Sequence, residues 1–391
     1  MSAPAWHLLT GEYPPDGGGI ADYTQLLARA LADAGRPVHV WTPARVEASS
    51  GGSGVEVHRM GGVSGAALRE AGAALDRFPA PRRLLVQYAP QAWGLRGLNV
   101  PFCRWLLARR RAGDDVRVMF HEPFFPFGWQ RPQRNLLAGV NRWMASLLLE
   151  ASARAYVSIA AWEPLLRPFA PPGLAFTVLP IPSTIPFADH PENVQVTRDV
   201  LTGGGTHPVF VHFGTYGDMI APMLVAALTA LIDRRPDARV LLLGSGGAAF
   251  ADLLRARDAR FADVFWTPGY LGAEALSWHL QASDVALQPY PDGADTRRTT
   301  LMACLANGVP TVTTRGRFTT ADVMRSVAGY PAASEPHIVG EIAADIQANP
   351  ATTVVAEFPD LPLREATRAA YLRHFAMEHT VARLLADEGG G

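Results

Sequence analysis

Two adjacent arginines, Arg297 and Arg298, stand where a turn-rich loop, Pro289-Tyr-Pro-Asp-Gly-Ala-Asp, gives way to a helix-like run that begins near Thr299 and stops at Gly308. The apolar residues Val285 to Leu287 ahead of the loop read as a buried strand, and Pro310 to Thr314 resume as another. A helix N-terminus carries partial positive charge and free N–H groups, so it attracts anions. Two guanidiniums placed there make a phosphate clamp. The plain alternative is a pair of solvated surface arginines. Asp292 and Asp295 lie close together in the same loop, but Pro-Asp-Gly chemistry marks them as turn formers before metal ligands. No DxD or histidine cluster in the sequence demands a metal. The two cysteines, Cys103 and Cys304, fit no metal spacing and read as free thiols in a reducing compartment.

The elements that must position these groups alternate along the chain. Trp6 to Leu9 is a short apolar strand, a glycine loop follows, and Ile20, Tyr23, Leu27, Leu31 and Ala34 share one helical face. Val38 to Trp41 is the next strand. Further strands are expected at Val55–His58, Leu84–Tyr88, Arg117–Phe120, Ala155–Ile159 and Phe176–Leu179, with helices at Gly65–Phe78, Val100–Ala112, Asn135–Ser152 and Trp162–Phe169. This is the rhythm of a doubly wound parallel sheet. It breaks in the proline-rich stretch from Leu179 to Glu192, which reads as an interdomain linker. A second series starts at Val209, with strands at Arg239–Leu243 and Val264–Trp266 and helices at Pro222–Asp233, Ala249–Arg257 and Ala273–Ser283. Beyond Thr314, helices are expected near Thr320, over His337–Asn349 and over Pro362–Asp387. Ligands of such sheets bind at the carboxyl ends of strands, where strand order reverses, and a cleft between two such domains is the default site.

At 391 residues the chain has room for two domains, and its composition is that of an ordinary globular protein. Its net charge of −1 supplies no basic field and argues against nucleic acid as a partner. All 35 basic residues are arginine, so a cationic phosphate contact must come from Arg or protonated His. The first residues, Met1-Ser-Ala-Pro-Ala-Trp-His, form no signal peptide, and no apolar run reaches the roughly 18 residues of a membrane span. A cytoplasmic location is the expectation.

Several motifs, in this order and spacing, carry a resemblance. They are Gly11-Glu-Tyr-Pro-Pro-Asp-Gly-Gly-Gly-Ile-Ala-Asp-Tyr, Leu179-Pro-Ile-Pro-Ser, Gly269-Tyr-Leu, Ala282-Ser-Asp-Val-Ala-Leu-Gln-Pro and Gly308-Val-Pro-Thr-Val. Over nearly its whole length the chain resembles the GT-B glycosyltransferases of the family-4 type, which are retaining and use nucleotide sugars. The resemblance implies an α/β architecture of two doubly wound, Rossmann-like domains facing a central cleft. Residues 1–185 would bind the acceptor and 190–361 the donor, with a C-terminal helix over about 362–391 crossing back to the first domain. It also implies no metal and no cofactor beyond a UDP- or GDP-linked sugar as co-substrate. Gly17, Gly18 and Gly19 match the loop that approaches the donor phosphates, where lack of a Cβ lets backbone N–H groups reach an anion. A flexible turn is the plain alternative. His121 matches the histidine placed beside the donor sugar, able to hold a hydroxyl or take a proton. Tyr270 and Leu271 match the loop lining the nucleobase.

Two departures stand out. The family's Gly-Arg…Lys pair after the first strand of the donor domain is replaced by Gly214-Thr-Tyr-Gly-Asp-Met-Ile-Ala-Pro, with no basic residue. Of the family's Glu-x7-Glu, the first acid is shortened to Asp295 and the second is Ala303. Arg297 and Arg298 are therefore expected to replace the lost cations, and Glu274 is a candidate for the vacant ribose contact, although a first-turn acid also suits the helix dipole. Thr215, Tyr216, Gly244 and Thr299 complete the expected donor site. His121 and Asp295 are the expected catalytic pair, and Glu122, Phe124, Phe125 and Trp129 the expected acceptor contacts. The function implied is metal-independent transfer of a hexosyl group, with retention, to a hydroxyl of a glycan, lipid-linked sugar or small molecule. A catalytically silent binding protein and a sugar-nucleotide epimerase are the alternatives. The basic and aromatic stretch Val100–Arg111 can meet an anionic surface, so peripheral contact at the inner membrane face is a further expectation, against an ordinary amphipathic helix.

Overall fold

The computed structural model describes residues 4–15, 18–43, 54–128, 133–314, 316–320, 323 and 363–389. The chain divides into two compact units, residues 1–181 with 377–391, and residues 182–376.

The first unit is built on a seven-stranded parallel sheet. Its strands are β1 (Trp6–Thr10), β2 (Val38–Thr42), β3 (Val55–Arg59), β4 (Arg83–Tyr88), β5 (Asp115–Phe120), β6 (Arg154–Val157) and β7 (Phe176–Val178), in the order β3-β2-β1-β4-β5-β6-β7. The inner strands are apolar on both faces because helices cover both, as parallel sheets require: all of β1 and β4 is buried. Helix α1 (Gly19–Asp33) lays Tyr23, Leu27 and Leu31 onto Trp6, Leu8 and Val40. Helices α2 (Gly65–Leu75), α3 (Val100–Arg111), α4 (Gln133–Ala151) and α5 (Trp162–Leu166) complete the layers.

The second unit repeats the plan with five strands: β8 (Val209–Phe213), β9 (Arg239–Leu243), β10 (Phe265–Trp266), β11 (Val285–Gln288) and β12 (Thr311–Thr313), ordered β10-β9-β8-β11-β12, all parallel. Between them run α7 (Ala221–Arg234), α8 (Gly247–Arg257), α9 (Ala273–Gln281) and α10 (Thr299–Ala306). In both sheets the first strand lies between the second and the fourth, which makes a strand-order reversal at β1/β4 and at β8/β11.

Two elements differ from the reading of the sequence. The segment after the linker is a helix, α6 (Pro191–Thr202), with Pro191 at its first turn and Gly203 closing it at φ +63°. The expected single C-terminal helix is two, α11 (Leu363–His374) and α12 (Met377–Ala386). At 100° per residue, the face carrying Tyr371 and Phe375 and the face carrying Met377, Val381 and Leu384 lie roughly 130° apart, so one straight helix cannot turn both to the same core. Tyr371 and Phe375 pack with Leu301, Met302 and Leu305 of the second unit, whereas Met377, Val381 and Leu384 join the core of the first. The helix expected over 337–349 lies outside the described residues, as does most of the segment near Thr320. Among the described residues no helix is long and apolar enough to cross a membrane.

The end of the chain is fastened to the first sheet by charge. Glu388 accepts bonds from Trp6 Nε1 (2.9 Å), Arg36 Nη2 (3.0 Å) and Arg83 Nη1 (3.0 Å). Beside it, Arg117 Nη2 donates to the Asp387 carbonyl and Tyr156 Oη to its carboxylate. Burial opposes ionisation of Glu388, but the bonds from Arg36 and Trp6 and the charges of Arg83 and Arg36 outweigh it and hold the carboxyl below its usual value of 4.5. Removing it takes the carboxylate from two guanidiniums, Arg36 and Arg83, the second lying over the Trp6 ring. Glu388→Ala should cost about 2–3 kcal/mol in urea unfolding at pH 7. A depressed carboxylate stabilises above the unfolded value and loses that contribution as pH falls through the folded value, so the difference should shrink as pH falls below 4.5. Equal midpoints for the two proteins at pH 7 would contradict this.

Candidate functional site

A cavity of about 660 Å³ opens in the second unit at the carboxyl ends of β8 and β11, the strand-order reversal of that sheet. One wall is the segment from His212 to Ile220; the other runs from Gln288 to Asp292 and from Arg297 to Thr300. The loop after β8 is held close by β9: a Cβ on Gly244 would lie 2.2 Å from the Gly214 carbonyl oxygen, and Gly244 sits at φ +103°. Only glycine meets both demands.

The wall after β11 is a fixed scaffold. The Tyr290 amide donates to Thr314 Oγ1 (2.8 Å), and its hydroxyl bonds Gln288 Oε1 (3.2 Å) and Thr300 Oγ1 (2.9 Å). Its ring lies under the Arg298 guanidinium, 5.0 Å away. Asp295 is fully buried, and its carboxylate accepts from the backbone N–H, Nε (3.0 Å) and Nη2 (2.7 Å) of Arg297. The arginine pair therefore divides. Arg297 is neutralised by Asp295, while Arg298 is held by a ring face and its Nε has no hydrogen-bond partner among the described residues. Helix α10 starts at Thr299 with Arg298 as its N-cap and no side-chain cap bond. The Thr299 amide is taken by the Arg297 carbonyl (3.1 Å); the Thr300 amide at the helix start, two threonine hydroxyls and a guanidinium with no acidic partner among the described residues remain, a set whose chemistry suits an anion.

His212 adds a polar group that the sequence reading did not single out. It is 2% exposed, and Nδ1 donates to the Leu287 carbonyl at 2.8 Å. Nε2 has no hydrogen-bond partner among the described residues. Burial lowers its pKa, with the carbonyls of Leu287 and Thr215 pulling the other way. A neutral ring whose Nδ1 carries the proton presents Nε2 as a lone-pair acceptor, and His212 lines the cavity. A histidine in an apolar strand reads as core, so only the placement reveals it.

The expected donor residues scatter. Thr215, Arg297, Arg298 and Thr299 line this cavity. Asp295 does not; it acts on Arg297. Tyr216 turns into the core between His212 and Phe250 and donates its hydroxyl to the Leu243 carbonyl. Tyr270 stands 98% exposed, Leu271 packs on an apolar cluster and Glu274 occupies the first turn of α9; none of the three lines the cavity. Ala303 is fully buried in that same cluster.

In the first unit, His121 follows β5. Its Nε2 donates to Gln87 Oε1 (2.8 Å), its ring meets Tyr23 edge-on at 5.0 Å, and burial pushes its pKa down to about 3. It is a neutral imidazole with Nδ1 as the basic nitrogen. Gly17 lies outside the described residues. Gly18 is not open to a ligand, because a Cβ there would meet the Glu12 carboxylate at 2.3 Å, whereas Gly19 has nothing within 4 Å. Glu122 accepts from Gln91 Nε2 (2.9 Å). Phe124 lies under the Arg142 guanidinium (4.2 Å), and the Phe125 carbonyl accepts from the same side chain (3.1 Å). Trp129 lies outside the described residues. On α3, Arg109 is bound to Asp114 and Asp76, and Arg111 to Glu150, so part of its basic face is spent in ion pairs.

The division of the arginine pair predicts opposite phenotypes. Arg298→Ala should weaken pyrophosphate binding about tenfold or more with little change in stability. Arg297→Ala should cost about 3 kcal/mol of stability, since it leaves the Asp295 carboxylate buried and unpaired. Calorimetric titration and urea unfolding of both variants check this, and indistinguishable variants would sink it.

No protein-family model matches the chain, and no curated protein sequence does. Solved structures match over nearly the full length. A sucrose-phosphate synthase from Thermosynechococcus elongatus is 14% identical, with 98% of this chain and 97% of that one covered and a TM-score of 0.63. A glycosyltransferase from Rickettsia africae is 11% identical, with 99% and 98% covered and a TM-score of 0.65. The Anabaena protein HepE, in complex with UDP and glucose, is 13% identical, with 98% and 99% covered and a TM-score of 0.62. With its two parallel sheets of seven and five strands, the chain has the α/β fold of the GT-B glycosyltransferases.

Proposed function

We propose that this protein is a glycosyltransferase that takes a sugar from a nucleoside diphosphate and passes it to a hydroxyl acceptor with retention of configuration. One observation carries the reading: the cavity at the β8/β11 reversal combines an uncapped helix start, an unneutralised Arg298 and a buried acceptor at His212 Nε2. The fold supports it, and HepE, a structural neighbour, has been solved with UDP-glucose bound. In this reading Arg298, the Thr300 amide and the Thr299 hydroxyl receive the diphosphate. Charge that develops on the leaving phosphate is stabilised by donors already in place, so little reorganisation is needed. Arg297 shapes the wall while Asp295 fixes it. His212 Nε2 accepts a hydrogen bond from a hydroxyl of the donor. The leaving phosphate oxygen takes the proton of the acceptor hydroxyl, as the resemblance implies. The acceptor, by resemblance, belongs to Glu122, Phe124 and Phe125 of the first unit, with His121 beside the sugar.

A second reading, nucleotide binding without transfer, is favoured by one specific feature. Asp295 is committed to Arg297, and Ala303 is core, so the two positions of the family's paired acids offer no carboxylate to a ligand.

A thermal-shift screen of UDP-, GDP- and ADP-sugars separates these readings from no binding at all, because a ligand of the native state raises the melting temperature. The expected outcome is a rise with one base, followed by turnover whose product, resolved by NMR at the anomeric proton, keeps the donor's configuration. His212→Ala should lower donor affinity about five- to tenfold. Binding without turnover selects the second reading, an inverted product refutes retention, and no shift with any nucleotide refutes both readings.

A further inference from the structure

The first sheet carries three metal-ligating groups that the proposed transfer does not use. His39 lies on β2, opposite Glu56 of the edge strand β3, and Trp41 lies opposite His58. Glu56 and His58 are two residues apart, so the pleat puts their side chains on one face with that of His39. The donor atoms converge. His39 Nδ1 is 3.0 Å from His58 Nε2, and the two Glu56 oxygens are 3.3 Å from the first nitrogen and 3.6 Å from the second.

We propose that His39 Nδ1, His58 Nε2 and a Glu56 carboxylate oxygen bind one divalent transition-metal ion, zinc by the character of the donors, which fastens the edge strand β3 to β2.

Three arguments support it. Zinc bonds of 2.0–2.1 Å at tetrahedral angles separate neighbouring ligand atoms by about 3.3 Å, and the separations of 3.0, 3.3 and 3.6 Å bracket that value, with one Glu56 oxygen facing each ring. The three atoms are also a poor hydrogen-bonding set by themselves. Two neutral rings facing each other can place only one proton between their nitrogens, and the carboxylate oxygens only accept, so lone pairs crowd one point. A cation satisfies all three. Finally, aromatic neighbours hold both rings with these nitrogens turned toward each other.

The surroundings fix their orientation. His58 stacks on Trp41 (4.2 Å between centroids, 17° between planes), and His39 lies against Phe78 (4.4 Å) and the His7 ring (5.1 Å). The nearby cations Arg82 and Arg109 are paired with Asp114 and Asp76, which limits their repulsion of an ion. Coordination needs no net proton release. The proton shared between the facing nitrogens moves to the far nitrogen of its ring, and water or a further ligand takes the fourth position.

The full-length protein should be stripped with EDTA, given excess zinc, desalted and assayed by plasma mass spectrometry. One zinc per chain is expected, with a rise of roughly 5 °C or more in melting temperature at a hundredfold excess over the dissociation constant. Glu56→Gln, a change at an exposed side chain, should weaken zinc at least tenfold while leaving the metal-free melting temperature unchanged. His58→Ala should abolish stoichiometric zinc. His190→Ala, which removes an exposed His–Glu contact at α6, should change nothing. No retained zinc and no melting shift in the wild type would overturn the proposal. So would wild-type stoichiometry and affinity in both Glu56→Gln and His58→Ala, which would put the ion elsewhere among the 11 histidines.

Discussion

Strand β8 lies between β9 and β11, and that adjacency is the constraint on which the candidate site depends. The chain leaves β8 toward α7 and leaves β11 toward α10, so the two connections diverge and leave room above the sheet edge. Everything that lines the cavity is a consequence. The exit of β8 is pressed against Gly244, so its backbone is fixed. The exit of β11 is tied by Tyr290 to Thr314 on one side and Thr300 on the other. The cavity wall is therefore held by strands and hydrogen bonds instead of being left to loop packing, as a site that must hold charge in place requires.

Within that frame, Asp295 decides how the arginines act. A fully buried carboxylate needs a partner, and it takes Arg297 through three bonds. That pairing cancels one positive charge and leaves Arg298, stacked on Tyr290, as the cation with charge to offer. An anion receptor with one free guanidinium and a helix N-terminus is weaker than one with two arginines. It is also more easily left by a product diphosphate. The same economy of polar groups holds in the first unit, where Glu388 neutralises Arg36 ahead of β2 and Arg83 of β4, and Asp387 neutralises Arg154 of β6.

Most of the fold was legible because parallel strands buried on both faces are near-continuous apolar runs, as in β1, β4, β8 and β11, while the edge strand β3 was readable from its alternation. Helix α6 was not, because Val196 and Val200 are largely exposed and the segment has no clear apolar stripe. The break between α11 and α12 was visible only as a phase shift between Phe375 and Met377. In the site, Thr215, Arg298 and Thr299 were readable from the helix start and the glycine turn. The division of Arg297 from Arg298 was not, since it depends on the burial of Asp295 two residues away. His212 and the His39, Glu56 and His58 cluster were hidden for a shared reason. A histidine in a strand looks structural until strand register shows what its ring nitrogens face, and His39 and His58 are 19 residues apart.

If the β8/β11 edge of the second unit receives the diphosphate of a sugar donor, an NMR titration with UDP reads it at the Arg298 side chain, the Thr300 amide and the His212 ring. These signals should shift together and saturate with one affinity. Saturable UDP binding that leaves all three unmoved would contradict it.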